Sequence, residues 1–441
     1  MILNSGQREA LDTILEGWGR KDREIRLAGP AGTGKTTLIR ALCNRLDGQS
    51  YEVVTPTNKA ASVLTKKGVP AATLYAKFFT SSQELNPLPT EAEIAARKAA
   101  GRTQDEIDTW IRRAKEDRKK LVFHPNDELA GELSSGKVRW ADTIILDEAS
   151  MVQAWVLKHL RRMCTTLILV GDQHQLPPVN DKVQPDGYFV TRNATVELSE
   201  VMRQAGGSPI LELASEIREG RFPEGLVRAL GPRDTFQAWI RGRPDRKIIA
   251  FTNAHRRTIN AEVRRINGLP GVVPRIGEAL ICNSNVDATL LNGTEVRVLG
   301  FNWQWEANEK TKEVLGAPTA ELIYSTESGD MGTVQVHMGK FIEDLDPSMY
   351  AGWSLDKTVA VSRDTDEGVS FSYGYCITAH KAQGSEWDEV CVIDERFVLG
   401  KVDPTGTSAR RWIYTAITRA AKHLVFADFR WIKPSANRRA A

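Results

Sequence analysis

The sequence has no apolar run long enough to cross a membrane, and its first residues, Met1-Ile-Leu-Asn-Ser-Gly-Gln7, lack the charged-then-apolar pattern of an export signal. These absences argue against a helical membrane protein and lead to the expectation of a cytoplasmic one. Cysteine is scarce. Cys43, Cys164, Cys282, Cys376 and Cys391 are odd in number, scattered, and in no zinc-like spacing. That pattern excludes a disulfide framework and a structural zinc site, and it fits buried thiols in a reducing compartment. Net charge is also small, +3, so overall charge is a weak argument for a nucleic-acid partner, although a local basic groove is compatible with one. No short internal repeat is evident. What remains is an ordinary globular composition, 41% hydrophobic and 26% charged, over 441 residues, too long for one core. Two or more domains are expected.

The most informative stretch is Gly29-Pro-Ala31-Gly32-Thr33-Gly34-Lys35-Thr36, followed by Thr37. Its spacing is G-x-x-x-x-G-K-[ST], and it lies between an apolar strand, Glu24-Ile-Arg-Leu-Ala28, and a run with helical spacing, Thr37 to Leu46. Gly32 and Gly34 permit backbone angles that turn several N–H groups toward one point, and the start of the helix adds partial positive charge. Such a loop cradles polyphosphate, with Lys35 reaching the β- and γ-phosphates and the Thr36 hydroxyl ligating Mg²⁺. Gln7, on a helix just upstream, has the donor and acceptor needed to read adenine.

Other strands end in polar residues. Tyr51-Glu-Val-Val-Thr55 runs into Pro56-Thr57-Asn58, on the side where open α/β sheets bind ligands. Phe78 and Phe79 beside Lys77 are candidates for stacking on bases or for packing the core. Thr143-Ile-Ile-Leu146 runs into Asp147-Glu148, the pair a phosphate loop needs. Asp147 would hold Mg²⁺ through its water shell and Glu148 would orient and deprotonate the attacking water. Thr165 to Val170 ends in Gly171-Asp172-Gln173-His-Gln175, whose polar side chains can sense a γ-phosphate. Between the first and second of these strands, residues 81–137 read as an inserted helical pair. Thr90 and Thr103 start its helices, and Lys115, Arg118, Lys119 and Lys120 are its basic residues. A second α/β unit follows, with Val196-Glu-Leu198 as its first strand. Residues 270–365 show short alternating stretches that suggest a small β-barrel, and α/β patterning then resumes. Arg419, on a late helix, is a candidate arginine finger.

Taken in order, these segments resemble the motif series of superfamily 1 group B helicases, the branch of RecD-like and Dda-like enzymes. The matching pieces are Gln7, Gly29 to Thr36, Thr55 to Ala61, Asp147-Glu148, Gly171 to Pro178, Arg203, Phe251-Thr252-Asn253, Thr378-Ala-His380-Lys-Ala-Gln383-Gly-Ser-Glu386, and Tyr414 to Arg419. The resemblance implies an α/β fold of two RecA-like domains, residues 1–80 with 138–180 and residues 181–269 with 366–441. A helical or hairpin insertion at 81–137 and a small SH3-like β-barrel at 270–365 would interrupt them. It implies ATP and Mg²⁺ as cofactors, with Gln175, Arg203 and Arg419 on the γ-phosphate and Glu386 on the ribose. Single-stranded DNA would touch Pro56, Thr57, Asn58, Thr73, Thr252, Asn253, Thr378, His380 and Gln383.

By the same resemblance, the partners are single-stranded DNA and its junctions with duplex, besides replication or recombination proteins, and the protein is a monomer moving 5′ to 3′. Where the family commonly has Thr-Ile-His, this chain has Thr73-Leu-Tyr75. The strands of the family's wedge hairpin correspond to Phe79–Leu85 and Leu121–Pro125, with the helical pair between them. A single-strand translocase that displaces proteins, a non-travelling ATP-switched clamp or loader, and an RNA substrate are alternative readings of the same residues.

Overall fold

The structure, a computed structural model, describes residues 3–85, 89–104, 106–108, 110–111, 119–125, 141–178, 184, 186–200, 208–221, 228–229, 233–243, 245–269, 273–284, 286–287, 290–308, 313–316, 319–327, 329–343, 354–355, 368–395 and 406–432. Two compact units divide the chain. The first comprises Met1–Phe78, Asp127–Pro270 and Tyr373–Ala441; the second comprises Phe79–Asn126 and Gly271–Ser372.

The first unit opens with the helix Ser5–Gly19, whose start is fixed by a reciprocal cap. The Asn4 side chain accepts from the Gln7 N–H and the Gln7 side chain from the Asn4 N–H. Strand β1 (Glu24–Ala28), the helix Lys35–Arg45, strand β2 (Tyr51–Thr55), the helix Asn58–Lys66 and the short strand β3 (Ala72–Thr73) follow. In the second unit, β4 (Phe79–Leu85) and β5 (Lys119–Pro125) pair antiparallel from Phe79↔Pro125 to Leu85↔Lys119. Between them lie the helix Glu91–Ala99, capped by Thr90, and a turn of helix after Thr103, where Ile107 is buried and Arg97 lies over the Trp110 ring. Lys115 and Arg118 lie outside the described residues.

Strands β6 (Ala141–Leu146), β7 (Cys164–Gly171) and β8 (Val196–Glu197) return to the first unit and complete a parallel sheet of order β3-β2-β6-β7-β1-β8. The central strands are near-continuous apolar runs because helices cover both faces. Ile14, Leu38 and Leu42 from helices pack with Ile25, Leu27, Val53, Ile145 and Ile168 from strands, and each such side chain contributes about 1.5–3 kcal/mol on burial. The expected boundary at 181 needs correction here. Val196–Glu197 pairs with β1, and Leu198 is buried in the core of this sheet, its N–H donating to Ala28 O.

The second parallel sheet has the order β19-β10-β20-β21-β9, built from β9 (Arg228–Ala229), β10 (Lys247–Ala250), β19 (Cys376–Thr378), β20 (Trp387–Asp394) and β21 (Ala420–Asp428). Asn260, buried in the helix Asn253–Ile266, donates to Tyr373 O and Cys376 O (3.1 Å each) and accepts from Cys376 N–H (2.8 Å), which fixes the helix on β19. In the second unit, β11 (Ala279–Cys282), β12 (Glu295–Asn302), β15 (Thr319–Thr326), β16 (Met331–His337) and β18 (Phe371–Tyr373) form one sheet. Strands β13 (Trp305–Asn308), β14 (Glu313–Gly316) and β17 (Ser354–Leu355) form another. No described pairing closes the two into a single barrel. The first unit resumes at Tyr373, at the end of β18, and not at the expected bound of 366.

Candidate nucleotide and nucleic-acid site

Strands β1, β6 and β7 are parallel, with β7 between the other two, so their carboxyl ends share one sheet edge. That edge carries the phosphate loop, Asp147-Glu148 and Asp172 to Gln175. In the loop Gly32 and Gly34 have φ of 81° and 79°, left-handed values that other residues rarely adopt. A Cβ on Gly29 would lie 2.7 Å from Thr33 Oγ1. Lys35 Nζ donates to Gly29 O (2.6 Å) and Pro30 O (3.0 Å), which places the ammonium at the loop. Gly34, the N-cap of Lys35–Arg45, brings no side chain to the first helical N–H groups. Half-buried Thr36 and Thr37 lie in that first turn.

Gln7, the expected adenine reader, is fully buried. Its amide accepts from Asn4 N–H (3.2 Å) and donates to Thr33 O (3.2 Å), so it braces the phosphate loop from beneath.

At the end of β6 the Asp147 carboxyl accepts from Glu148 N–H (2.9 Å). Burial, then the neighbouring Glu148 charge, pushes its pKa up to about 7, and Lys35 opposes the shift. Glu148 itself is left-handed (φ 54°, ψ 38°), an unfavourable backbone for a residue with a Cβ. Its Oε2 and the Oε1 of buried Gln175 have no hydrogen-bond partner among the described residues. A hydroxyl and a carboxylate, Thr36 and Asp147, make the hard oxygen set that Mg²⁺ takes. A carboxylic acid with a raised pKa and two orphaned buried acceptors also fit a group that brings positive charge and donors.

The late helix Thr407–Ile417 meets this edge through Tyr414. The tyrosine hydroxyl accepts from Ala31 N–H of the loop (3.0 Å) and donates to Asp172 Oδ2 (2.6 Å), while His174 N–H donates to Asp172 Oδ1 (2.9 Å). Burial and Asp172 hold the Tyr414 pKa well above the ordinary phenol value. One residue along, Thr415 Oγ1 accepts from Leu176 N–H (3.0 Å), and Leu176 O accepts from Gln383 Nε2 (3.0 Å). The sequence reading quotes Tyr414 only as the start of a motif. Its signal was two hydroxyl side chains, Tyr414 and Thr415, in an otherwise apolar stretch, since buried polar groups require partners.

Arg419 is buried and bonded within its own sheet's segments, to Thr415 O (3.0 Å), Ser385 O (3.1 Å) and Thr418 Oγ1 (3.1 Å). The structure therefore shows it parked on protein acceptors. Glu386 is exposed, and Arg203 lies outside the described residues.

Among the nucleic-acid candidates, Thr57, Thr252 and Thr378 are N-caps at the carboxyl ends of β2, β10 and β19. Pro56, Asn58 and His380 are half-buried beside them, and burial lowers the His380 pKa. Asn253 is exposed, its Oδ1 accepting from Arg256 Nε (3.0 Å). Three candidates need correction. Phe78 is fully buried and packs the core, so no face is offered to a base. Thr73 is buried and caps the next turn through Ala76 N–H, and buried Gln383 is bonded to Leu176 O.

The sequence reading missed Glu395. This buried carboxylate accepts from Phe251 N–H, Thr252 Oγ1 (3.2 Å) and His255 Nδ1, holding the segment that carries Thr252 and Asn253. Its signal was Cys391-Val-Ile-Asp-Glu395, the same apolar strand running into acid that marks Asp147-Glu148.

Comparison with known proteins places these features. The family profile described as an AAA domain matches residues 2–235, and that of the UvrD-like helicase C-terminal domain matches residues 373–427. The chain is 22% identical over 365 residues to the ATP-dependent DNA helicase PIF1 of Candida albicans, covering 68% of this chain and 35% of that protein. It is 25% identical over 231 residues to the ATP-dependent DNA helicase dda of Enterobacteria phage T4, covering 50% and 43%. It is 27% identical over 289 residues to the ATP-dependent RecD2 DNA helicase of Deinococcus radiodurans, covering 63% and 35%. The alignments thus span less than half the length of these relatives. In fold it is similar to a Pif1 helicase structure described for DNA unwinding at forked duplex (TM-score 0.53) and to Bacteroides Pif1 bound to single-stranded DNA (TM-score 0.50). Identity is 16% to each, covering 99% of this chain and 95% of theirs. The first profile spans more than half of the chain and begins ahead of the phosphate loop, and the second falls on the second parallel sheet. The chain accordingly belongs to the AAA domain family, and its later part matches the UvrD-like helicase C-terminal domain.

Proposed function

We propose that the protein is an ATP-driven DNA helicase that moves 5′ to 3′ along single-stranded DNA and parts duplex ahead of it. The observation that carries this reading is the Tyr414 bridge. One side chain of the late helix is hydrogen-bonded both to the phosphate loop and to Asp172, so a change at the loop reaches directly the helix that connects β20 to β21 of the second sheet. Lys35 would bind the β- and γ-phosphates and Glu148 would hold and deprotonate the attacking water. Gln175 would turn its amide to the γ-phosphate, joined by Arg203 and by Arg419 once it leaves its present acceptors. Mg²⁺, held by Thr36 and Asp147, would neutralise phosphate charge.

The N-capped helix starts at Thr57, Thr252 and Thr378, with Pro56, Asn58, Asn253 and His380, would grip the DNA backbone, where N–H groups suit phosphate and read no sequence. The relatives are described as DNA helicases, and the similar structures as unwinding forked duplex or bound to single-stranded DNA. The β4–β5 hairpin supports a wedge role by its place in the chain.

The test is ATPase rate with and without oligo(dT), alongside oligo(U), in wild type and Lys35→Ala. Stimulation by oligo(dT) that disappears in the variant, followed by unwinding of 5′-tailed but not 3′-tailed duplex, is the expected outcome. No stimulation by either polymer would rule the motor out.

A further inference from the structure

Between the Gln173-His174 tip that follows β7 and the helices Pro209–Arg218 and Thr407–Ile417 lies a cavity of about 280 Å³. Arg218, Arg410 and Arg411 line it together with Gln173, His174 and Tyr414. Three guanidinium groups line it, and no carboxylate is among its described lining residues. Arg410 and Arg411 make no ion pair and no side-chain hydrogen bond with any described residue, and Arg218 donates to the neutral Ser215 hydroxyl (2.9 Å). The acids nearby are Asp186, which faces Arg411, and Asp172 and Glu197, which face His174. Asp172 is already occupied by the Tyr414 hydroxyl and His174 N–H. Such a concentration of guanidinium groups calls for an anion, and guanidinium geometry suits phosphate. The volume lies just below the roughly 300 Å³ at which sites for drug-sized ligands begin, so a small anion suits it better than a whole nucleotide.

Tyr414 is the wall this cavity shares with the phosphate loop. It lines the cavity, and its hydroxyl holds Ala31 N–H of the loop. We propose that the cavity is an oxyanion subsite that takes the inorganic phosphate freed at the loop, held by Arg218, Arg410 and Arg411. The proposal rests on the ATP-hydrolysis reading: water oxygen bonds to the γ-phosphorus, the β–γ bridging oxygen leaves with ADP, and orthophosphate is released. A DNA backbone phosphate has the same chemistry, and the experiment separates the two.

Inorganic phosphate is titrated by calorimetry into the full chain as wild type, Arg410→Gln/Arg411→Gln, Arg218→Gln and Lys35→Ala, with circular dichroism confirming the fold. The expected result is binding that weakens about tenfold in the arginine variants, the loss of charged hydrogen bonds, and survives in Lys35→Ala. Phosphate inhibition of ATP turnover should weaken by a similar factor. Arg218→Gln decides the matter if the double variant does not fold. Binding lost in Lys35→Ala but kept in the arginine variants would put phosphate on the loop and overturn the proposal, as would no binding at all. Oligo(dT) that displaces phosphate and loses affinity in parallel in the arginine variants would make the ligand DNA, also overturning it. Phosphate binding needs no turnover. Absence of ATPase activity in the wild type would therefore sink the hydrolysis reading separately from the subsite.

Discussion

The carboxyl edge of the first parallel sheet and that of the second are built to opposite rules. On the first, Glu148 is held in a left-handed backbone, and Glu148 Oε2 and Gln175 Oε1 are buried without partners among the described residues. On the second, Arg419 has three acceptors, Gln383 is bonded to Leu176 O, and Thr252 is tied to Glu395. Orphaned buried acceptors and an unfavourable φ cost stability, and they persist at sites where a ligand supplies what is missing. A saturated edge has the opposite property: each of its groups must give up a bond before it can reach a ligand. The first edge is thus open to a ligand as it stands, while the groups of the second must exchange protein acceptors for one.

The largest expected effect breaks the first edge chemically. Glu148→Gln keeps the side chain's size and removes the base, so DNA-stimulated kcat should fall by about 10²–10⁴-fold. ATP affinity, read with a fluorescent nucleotide, should stay within a few-fold. A kcat within tenfold of wild type would remove Glu148 from the chemistry. The next effect breaks the link between the edges. Tyr414→Phe leaves Asp172 Oδ2 buried without the donor it has now, at a cost of about 1–3 kcal/mol. A lower urea midpoint, with a larger loss in turnover than in ATP affinity, is expected. Unchanged stability would mean that the bridge is idle.

The contrast between the edges also explains what could be read from the sequence. The first edge was legible because its chemistry is local. Gly29 to Thr36 forms its cradle from eight consecutive residues, and Asp147-Glu148 follows directly on an apolar strand. The two parallel sheets follow from the same apolar runs. Long-range placement was not legible. Val196–Glu197 has the composition of any short strand, and only its register with Leu27 and Ala28 assigns it to the first sheet. Phe78 beside Lys77 offers the same pattern to a stacking surface and to a core, and burial decided for the core. Gln7 has only a weak local signal, a glutamine on a helix ahead of the loop, and its amide is held by Asn4 and Thr33, the second of them 26 residues away. Tyr414 and Glu395 act across 242 and 143 residues respectively, through Asp172 and Thr252, and no local spacing encodes such pairs.

The smallest effect sharpens the comparison most, because it separates backbone from chemistry at one position. Glu148 at φ 54° places a Cβ in the left-handed region, which costs about 1–2 kcal/mol relative to a residue without one. Glycine returns part of that gain through the extra freedom of the unfolded chain, roughly 0.5–1 kcal/mol. Glu148→Gly should therefore be more stable than wild type by a few tenths to about 1 kcal/mol while losing its ATPase. Glu148→Ala provides the control. It also removes the orphaned carboxylate and the activity but keeps the Cβ, so the stability difference between the glycine and alanine variants reports the backbone alone. Urea midpoints compared at equal slope measure it. If the glycine variant is no more stable than the alanine one, the left-handed turn is not held against its own preference. The strain at the first edge would then lie in the unpartnered acceptors of Glu148 and Gln175 and not in the chain that presents them.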